Sequence, residues 1–157
     1  LPAPRAAASP ELDRILSGLA GKSARMECKP KAQILGRVGA RAWPTRRLVE
    51  MDTPWCRSLL RLAARPSAPP TWADATAVFV LAHEAAHIFG IADEAQANCR
   101  GIQTYERAWL LLGLRPAYAR AMVDANWEPV YTSFAYQSPE CRNGGKLDLR
   151  RSSNRWP

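Results

Sequence analysis

The sequence has 157 residues, of which 47% are apolar, together with four cysteines and a formal net charge of +8. This length is the size of one domain with a hydrophobic core, and the composition argues against a disordered chain, a collagen or a coiled coil. The longest apolar run, Ala75 to Ala82, is far shorter than the roughly 20 residues of a membrane-spanning helix. We therefore expect one domain over residues 1–157, monomeric and without a membrane span.

The first third of the sequence predicts one helix followed by short strands. Residues 1–9 are rich in proline and alanine and predict a loose lead-in. Ser9 stands before a proline and an acidic residue, a pattern typical of a helix start, and we expect this helix over residues 10–19. A strand over residues 23–28 follows. The stretch over residues 33–51 predicts further strands, broken by glycine and proline.

The rest of the sequence predicts mainly helices. One helix begins near Thr53, and another runs from Trp72 to Phe89 behind a capping box. We expect two more over residues 94–112 and 116–126, followed by an irregular tail over residues 127–157. The chain is therefore predicted to be a mainly helical α+β domain with a small sheet.

The segment from His83 to His87 reads HEAAH and contains both histidines of the chain. Histidines four residues apart on a helix lie one turn apart on one face, where both can bind a single zinc ion. Glu84 lies beside them and can accept a proton from a metal-bound water. This is the HExxH arrangement of zinc peptidases. The alternative is a pair of surface histidines, but the apolar residues before the motif predict a buried helix whose histidines need a partner.

A third metal ligand is expected after the helix, since a catalytic zinc usually has three protein ligands and one water. Gly90 ends the helix three residues after His87, and the reversed chain returns Asp93 and Glu94 toward the metal. Asp93 and Gln96 form a predicted capping box, which would occupy the Asp93 carboxylate with backbone N–H groups. We favour Glu94 as the third ligand, with Asp93 as the alternative.

The segment from His83 to Gln103 (HEAAHIFGIADEAQANCRGIQ) resembles a group of small actinobacterial zincin-like proteins. The tail from Ser138 to Leu149 resembles the C-terminal segment of the same group. With Asp93 as a ligand, the motif is similar to the HExxHxxGxxD pattern of snapalysin-like metzincins, whereas Glu94 would give the gluzincin arrangement. The resemblance implies a minimal zincin-like metallopeptidase fold around an HExxH helix. With this fold we expect one catalytic Zn²⁺ and a peptide or protein substrate.

The four cysteines lack the CxxC spacing of zinc ribbons and redox sites. We favour two disulfides formed in an oxidising compartment over four reduced cysteines. Of the three possible pairings we favour Cys28–Cys56 with Cys99–Cys141, because the second bridge would hold the tail against the catalytic helices. A free Cys99 as a fourth ligand would instead give a structural zinc site. The two disulfides favour a secreted protein, and because the chain begins with Leu rather than Met, we expect that a signal peptide has been removed.

Two kinds of supporting residue are expected near the metal. Zincins of the kind this chain resembles place a sheet edge beside the site, where a peptide substrate adds as an extra strand. The alternating segment from Arg47 to Met51 is the candidate, with an ordinary structural strand as the alternative. Tyr105, Tyr131 and Tyr136 are candidates to stabilise the transition state, although packing alone would account for each.

These features favour a secreted zinc-dependent peptidase with Glu84 as general base. The second hypothesis is a zincin-fold binding or structural module without turnover, which would have no need of Glu84. The net charge suggests nucleic-acid binding as a third. The basic residues are scattered, however, and neither a helix-turn-helix nor an aromatic stacking signature stands out. We therefore expect no nucleic-acid partner.

Overall fold

A computed structural model describes residues 7–157, and residues 1–6 of the predicted lead-in lie outside this range. The fold is α+β and mainly helical. Four strands and six α-helices follow in chain order, with short 3-10 turns between some of the strands: β1 (Ala7–Ala8), α1 (Pro10–Ala20), β2 (Arg25–Lys29), β3 (Ala40–Trp43), β4 (Leu48–Asp52), α2 (Thr53–Ala64), α3 (Trp72–Phe89), α4 (Glu94–Gln103), α5 (Tyr105–Leu111) and α6 (Pro116–Thr132). Part of the expected lead-in is thus a short strand.

The strands form one mixed sheet in the order β1-β2-β4-β3. β2 and β4 are parallel, while β1 and β3 pair antiparallel to their neighbours. The expectation that the segment from Arg47 to Met51 forms the sheet edge is therefore wrong. This segment contributes β4, which has a partner on each side and is buried from Leu48 to Met51. The outer strand at this end of the sheet is β3, next to β4.

Helix α3 passes through the centre of the fold. The apolar residues between Ala75 and Ala82 are at most 4% exposed. They pack against α1, α2, α4, α5 and strand β3. Such burial is expected for a helix that is apolar on all sides. Two local signals fix its ends: a capping box in which the Thr71 side chain accepts from Asp74 N–H, and Gly90 at the C-terminus.

Two helix boundaries differ from the predictions. The expected helix over residues 94–112 is broken at Thr104, whose hydroxyl donates to the carbonyls of Arg100 and Gly101. This local side-chain bonding competes with a continuous helix.

The last helix continues past Asn126 to Thr132 and passes through Pro129. It can do so because the proline removes only one helical hydrogen bond, while Val130 and Tyr131 become buried.

Two disulfides tie the periphery to this core. Cys28–Cys56 joins β2 to α2, and Cys99–Cys141 joins α4 to the tail. These are the two bridges that we favoured from the sequence. The tail is further held by the buried Gln103 side chain, which donates to Leu147 O at 2.8 Å and accepts from Leu149 N at 2.7 Å.

Within residues 7–157, no single helix has the length and apolar character of a membrane span. The pair α3 and α4 passes such a test only when both are taken together, across a bend of 118°.

Candidate metal centre

The turn between α3 and α4 brings the predicted ligands together. α3 ends at Gly90, whose φ of +130° lies in the range that side-chain-bearing residues rarely adopt. The N–H of Ile91 then donates back to Ala86 O at 3.1 Å. The chain reverses at this point, and α4 begins at Glu94 beside the two histidines of α3.

Three ligand atoms converge on one point. His83 Nε2 and His87 Nε2 lie 3.0 Å apart, and Glu94 Oε2 lies 3.1 Å from the first and 3.4 Å from the second. A tetrahedral zinc site with bonds of about 2.0–2.1 Å has ligand atoms about 3.3–3.4 Å from one another. The observed triangle is therefore the right size for three ligands of one zinc ion. His83, His87 and Glu94 form a group that could hold a metal ion.

Both histidines direct their Nε2 atoms toward Glu94. His87 Nδ1 lies 2.6 Å from Ile91 O. A carbonyl can only accept, so Nδ1 donates to it and Nε2 is the nitrogen left to bind a metal. Burial, followed by the charge of His87, lowers the pKa of His83 to about 4. His83 is consequently neutral near pH 7, and its ring nitrogen is available to a metal.

Glu84 lies beside this group but on a different side of α3. It is 6% exposed, and burial, together with the charge of Glu94, raises its pKa to about 8. The backbone N–H of Ala42 and the charge of Arg41, both on β3, act in the opposite direction. A divalent cation at the adjacent site would also favour the carboxylate. With its pKa raised to about 8, Glu84 is a carboxyl that can gain or lose a proton near neutral pH, and it lies beside the sheet edge.

These groups line a cleft of about 720 Å³. Its walls are β3, the end of α3, the start of α4, and the tail residues Phe134 and Tyr136. The outer edge of β3 faces the cleft. Asp52 N–H donates to Gly39 O, so the antiparallel register directs the backbone groups of Ala40 and Ala42 away from β4. Ala42 N–H meets Glu84, whereas the backbone of Ala40 is available to a ligand.

The other predicted site residues have different roles. Asp93 caps α4, with its Oδ1 accepting from Gln96 N at 2.8 Å, and is not in the ligand group. Cys99 is in a disulfide and so cannot be a fourth ligand.

Of the three candidate tyrosines, two are buried in the core. Tyr105 donates to Ala75 O at 2.9 Å, and Tyr131 is buried as well. Tyr136 lines the cleft and is 60% exposed.

Two contributors were not anticipated. The first is Ala42 on β3, whose backbone N–H acts on Glu84. The alternating pattern of β4 had predicted that β4, not β3, is the strand at the site. Asn98 lines the cleft and lies four residues after Glu94, on the same face of α4. That spacing was visible in the sequence, although nothing in it indicated a ligand or a partner.

Comparisons with protein-family models, with curated proteins and with solved structures give no match to this chain. The resemblance of the HEAAH segment to zincin-like proteins therefore stays a prediction.

Proposed function

We propose that this protein is a secreted zinc-dependent peptidase. The observation that carries the proposal is the convergence of His83, His87 and Glu94, with the Glu84 carboxyl beside them at the edge of an open cleft. Three protein ligands leave a fourth position for water or substrate, as in catalytic rather than structural zinc sites. Two imidazoles and one carboxylate are a ligand set that zinc commonly takes. The two disulfides are compatible with an extracellular location.

Glu84 is the residue to which we assign proton transfer. When bound, zinc would polarise the scissile carbonyl and lower the pKa of a water at the open position. The Glu84 carboxylate accepts the proton of that water and later delivers it to the leaving amine. The backbone N–H of Ala42 favours the ionised form of this carboxyl.

The substrate that this cleft fits is an extended peptide. β3 is an outer strand, and the free backbone N–H and C=O of Ala40 can pair with a peptide as an additional strand. Such pairing recognises the main chain, so it suits a peptidase. Tyr136 also lines the cleft, and we assign to its hydroxyl the role of donor to the developing oxyanion.

Substitution of Glu84 by Gln tests the proposal. We expect Glu84→Gln to bind zinc as the wild type does and to lose at least about 100-fold in hydrolysis of a peptide library, because the amide cannot accept the proton. Zinc content by mass spectrometry and cleavage products by chromatography measure the two effects. Glu128→Gln, an exposed position on α6, is the control and should retain both properties.

Full hydrolysis by Glu84→Gln would overturn the mechanism. A wild type that binds zinc and cleaves nothing in the library would favour the second candidate, a zincin-fold binding or structural module. The buried, cleft-facing Glu84 carboxyl argues against that candidate, since a structural site needs no base.

A further inference from the structure

Asn98 is a buried amide at the back of the candidate metal centre. It is 1% exposed and lies on the face of α4 that also carries Glu94. Its Nδ2 donates to Tyr136 O at 2.6 Å. Its Oδ1 is buried and has no hydrogen-bond partner among the described residues. One end of the amide is therefore satisfied and the other is not.

The ring of His83 also has a buried polar atom without a hydrogen-bond partner. This atom is Nδ1, which lacks a partner within residues 7–157. Two polar side chains lie beside this ring, Asn98 and Glu94, and Glu94 is at Nε2. Gly101, one turn further along α4, lets the helix approach, because a Cβ there would lie 3.1 Å from His83 N. The close packing of α4 on α3 thus places both residues, each with one unpartnered atom, at the same cleft.

The chemistry of a metal-bound imidazole joins these two atoms. A metal ion on Nε2 of a neutral histidine requires the proton to be on Nδ1, which then becomes a donor. Histidine ligands almost always give this proton to a carbonyl, carboxylate or water, and the partner fixes the orientation of the ring. His87 already has such a partner in Ile91 O. His83 has none until Asn98 Oδ1 accepts.

We propose that Asn98 is the positioning residue for His83. Its Oδ1 accepts from His83 Nδ1–H when metal is bound, while its Nδ2 holds the backbone of Tyr136 beside the cleft. The amide is suited to this double role because it offers one acceptor and one donor. Asn98 thereby links a metal ligand on α3 to the tail residue that borders the cleft. This inference rests on the metal site of the proposed function.

Zinc affinity tests the proposal without reference to catalysis. We expect Asn98→Ala to weaken zinc binding about 10- to 100-fold, measured by competition with a chromophoric chelator. Gln103→Ala is the matched control, since Gln103 is also a buried amide on α4 that holds the tail but it bonds Leu147 and Leu149 instead. Its zinc affinity should stay within about twofold of the wild type, well below the effect of losing a ligand's hydrogen-bond partner.

A second variant distinguishes the role of the Asn98 acceptor from that of its donor. It also serves as the test if Asn98→Ala fails to fold. Asn98→Asp keeps the acceptor and loses the donor to Tyr136 O. We expect it to retain zinc affinity at least within about threefold, because a carboxylate is also a common partner of a ligating histidine. In zinc-loaded protein, ¹⁵N spectra should show a slowly exchanging His83 Nδ1–H in the wild type and in Asn98→Asp, but not in Asn98→Ala.

Zinc affinity of Asn98→Ala equal to that of the wild type would overturn the inference, as would equal losses in Asn98→Asp and Asn98→Ala. Either result would leave the proposed function standing. A wild type that binds no zinc would instead remove the proposed function.

Discussion

Asp93 and Glu94 are consecutive residues whose carboxylates serve different partners. Asp93 Oδ1 accepts from Gln96 N at 2.8 Å and caps α4. Glu94 Oε2 lies 3.1 Å from His83 Nε2, across the turn from α3. The two carboxylates diverge because Asp93 precedes the helix with an extended backbone, whereas Glu94 is its first residue. The cap thus fixes the start of α4 at the position from which the neighbouring carboxylate meets the histidines.

This division of roles predicts opposite effects of two neighbouring substitutions. Glu94→Ala should lower zinc affinity by at least about 100-fold, because a three-ligand site loses its only carboxylate. Asp93→Asn should leave the affinity nearly unchanged, since asparagine is an equally good helix cap. Chelator competition measures both. A large loss in Asp93→Asn with none in Glu94→Ala would show that Asp93 is the ligand.

Tyr136 is the cleft tyrosine whose hydroxyl we expect to act in the transition state. Tyr136→Phe should lower kcat by about 100- to 1000-fold, the range seen when one donor to an oxyanion is removed, while zinc affinity is retained. Tyr118→Phe on α6 is the control, because Tyr118 packs on the core away from the cleft. Steady-state kinetics on a peptide cleaved by the wild type measure the effect. An unchanged kcat would remove Tyr136 from the mechanism.

Gly101 allows the close approach of α4 to the backbone of His83. A Cβ at this position would lie 3.1 Å from His83 N and 3.3 Å from its Cα, so Gly101→Ala must push the two helices apart. Overpacking of this kind costs about 1–3 kcal/mol, against a gain of about 1 kcal/mol in helix propensity. We expect weaker zinc binding with little or no gain in the free energy of unfolding.

Gly18→Ala in α1 is the matched control for Gly101→Ala. A Cβ there meets only the movable end of the Leu111 side chain. This variant should keep its zinc affinity and gain up to about 1 kcal/mol of stability from helix propensity. Chemical denaturation and chelator competition on both variants check the comparison, and equal zinc affinities in the two would contradict it.

Asp74 predicts a pH-dependent contribution to stability. It is 2% exposed, pairs with Arg61 and belongs to the capping box of α3. Burial alone would raise its pKa, but the hydrogen bonds from Arg61 and from Thr71 lower the pKa below the ordinary value. A carboxyl with a lowered folded-state pKa stabilises the fold above its unfolded pKa of about 4, and this stability is lost as the pH falls through the folded value.

Asp74→Asn should therefore lower the free energy of unfolding by about 1–3 kcal/mol at pH 7, the range for a hydrogen bond to a charged group. The difference from the wild type should shrink as the pH is lowered below about 4, because the wild-type carboxyl is then protonated as well. Asp124→Asn removes an exposed pair with Arg120 and should change stability by no more than about 0.5 kcal/mol. Urea denaturation across pH checks this, and a constant difference would contradict the account.

The features that were best predicted from the sequence are those that depend on interactions between residues close together in the chain. Ser9, Thr71 and Gly90 mark helix ends through side-chain caps or a positive φ, and each stands where expected. The spacing of His83, His87 and Glu94 also follows from one helix, one turn and one cap. Such signals depend on residues within one or two turns of each other, so they are legible without knowledge of the fold.

Features set by distant pairing were not predictable in this way. β4 alternates like a half-exposed strand, yet its partners on both sides bury it and leave β3 at the edge. The helix through Pro129 continues because its last turn is buried, which its local sequence does not reveal. Asn98 acquires its place only when the tail returns to pack on α4. In each case the deciding contact is made by residues far apart in the chain.

The most direct test of the central claim is the metal content of the wild-type protein together with the coordination of the metal by X-ray absorption. The account predicts one zinc ion per chain, with two imidazole nitrogens and one carboxylate oxygen at about 2.0–2.1 Å and a further light-atom ligand. Zinc should be lost in His83→Ala and in His87→Ala. A wild type that retains no zinc after loading, or zinc that persists in both histidine variants, would contradict the account.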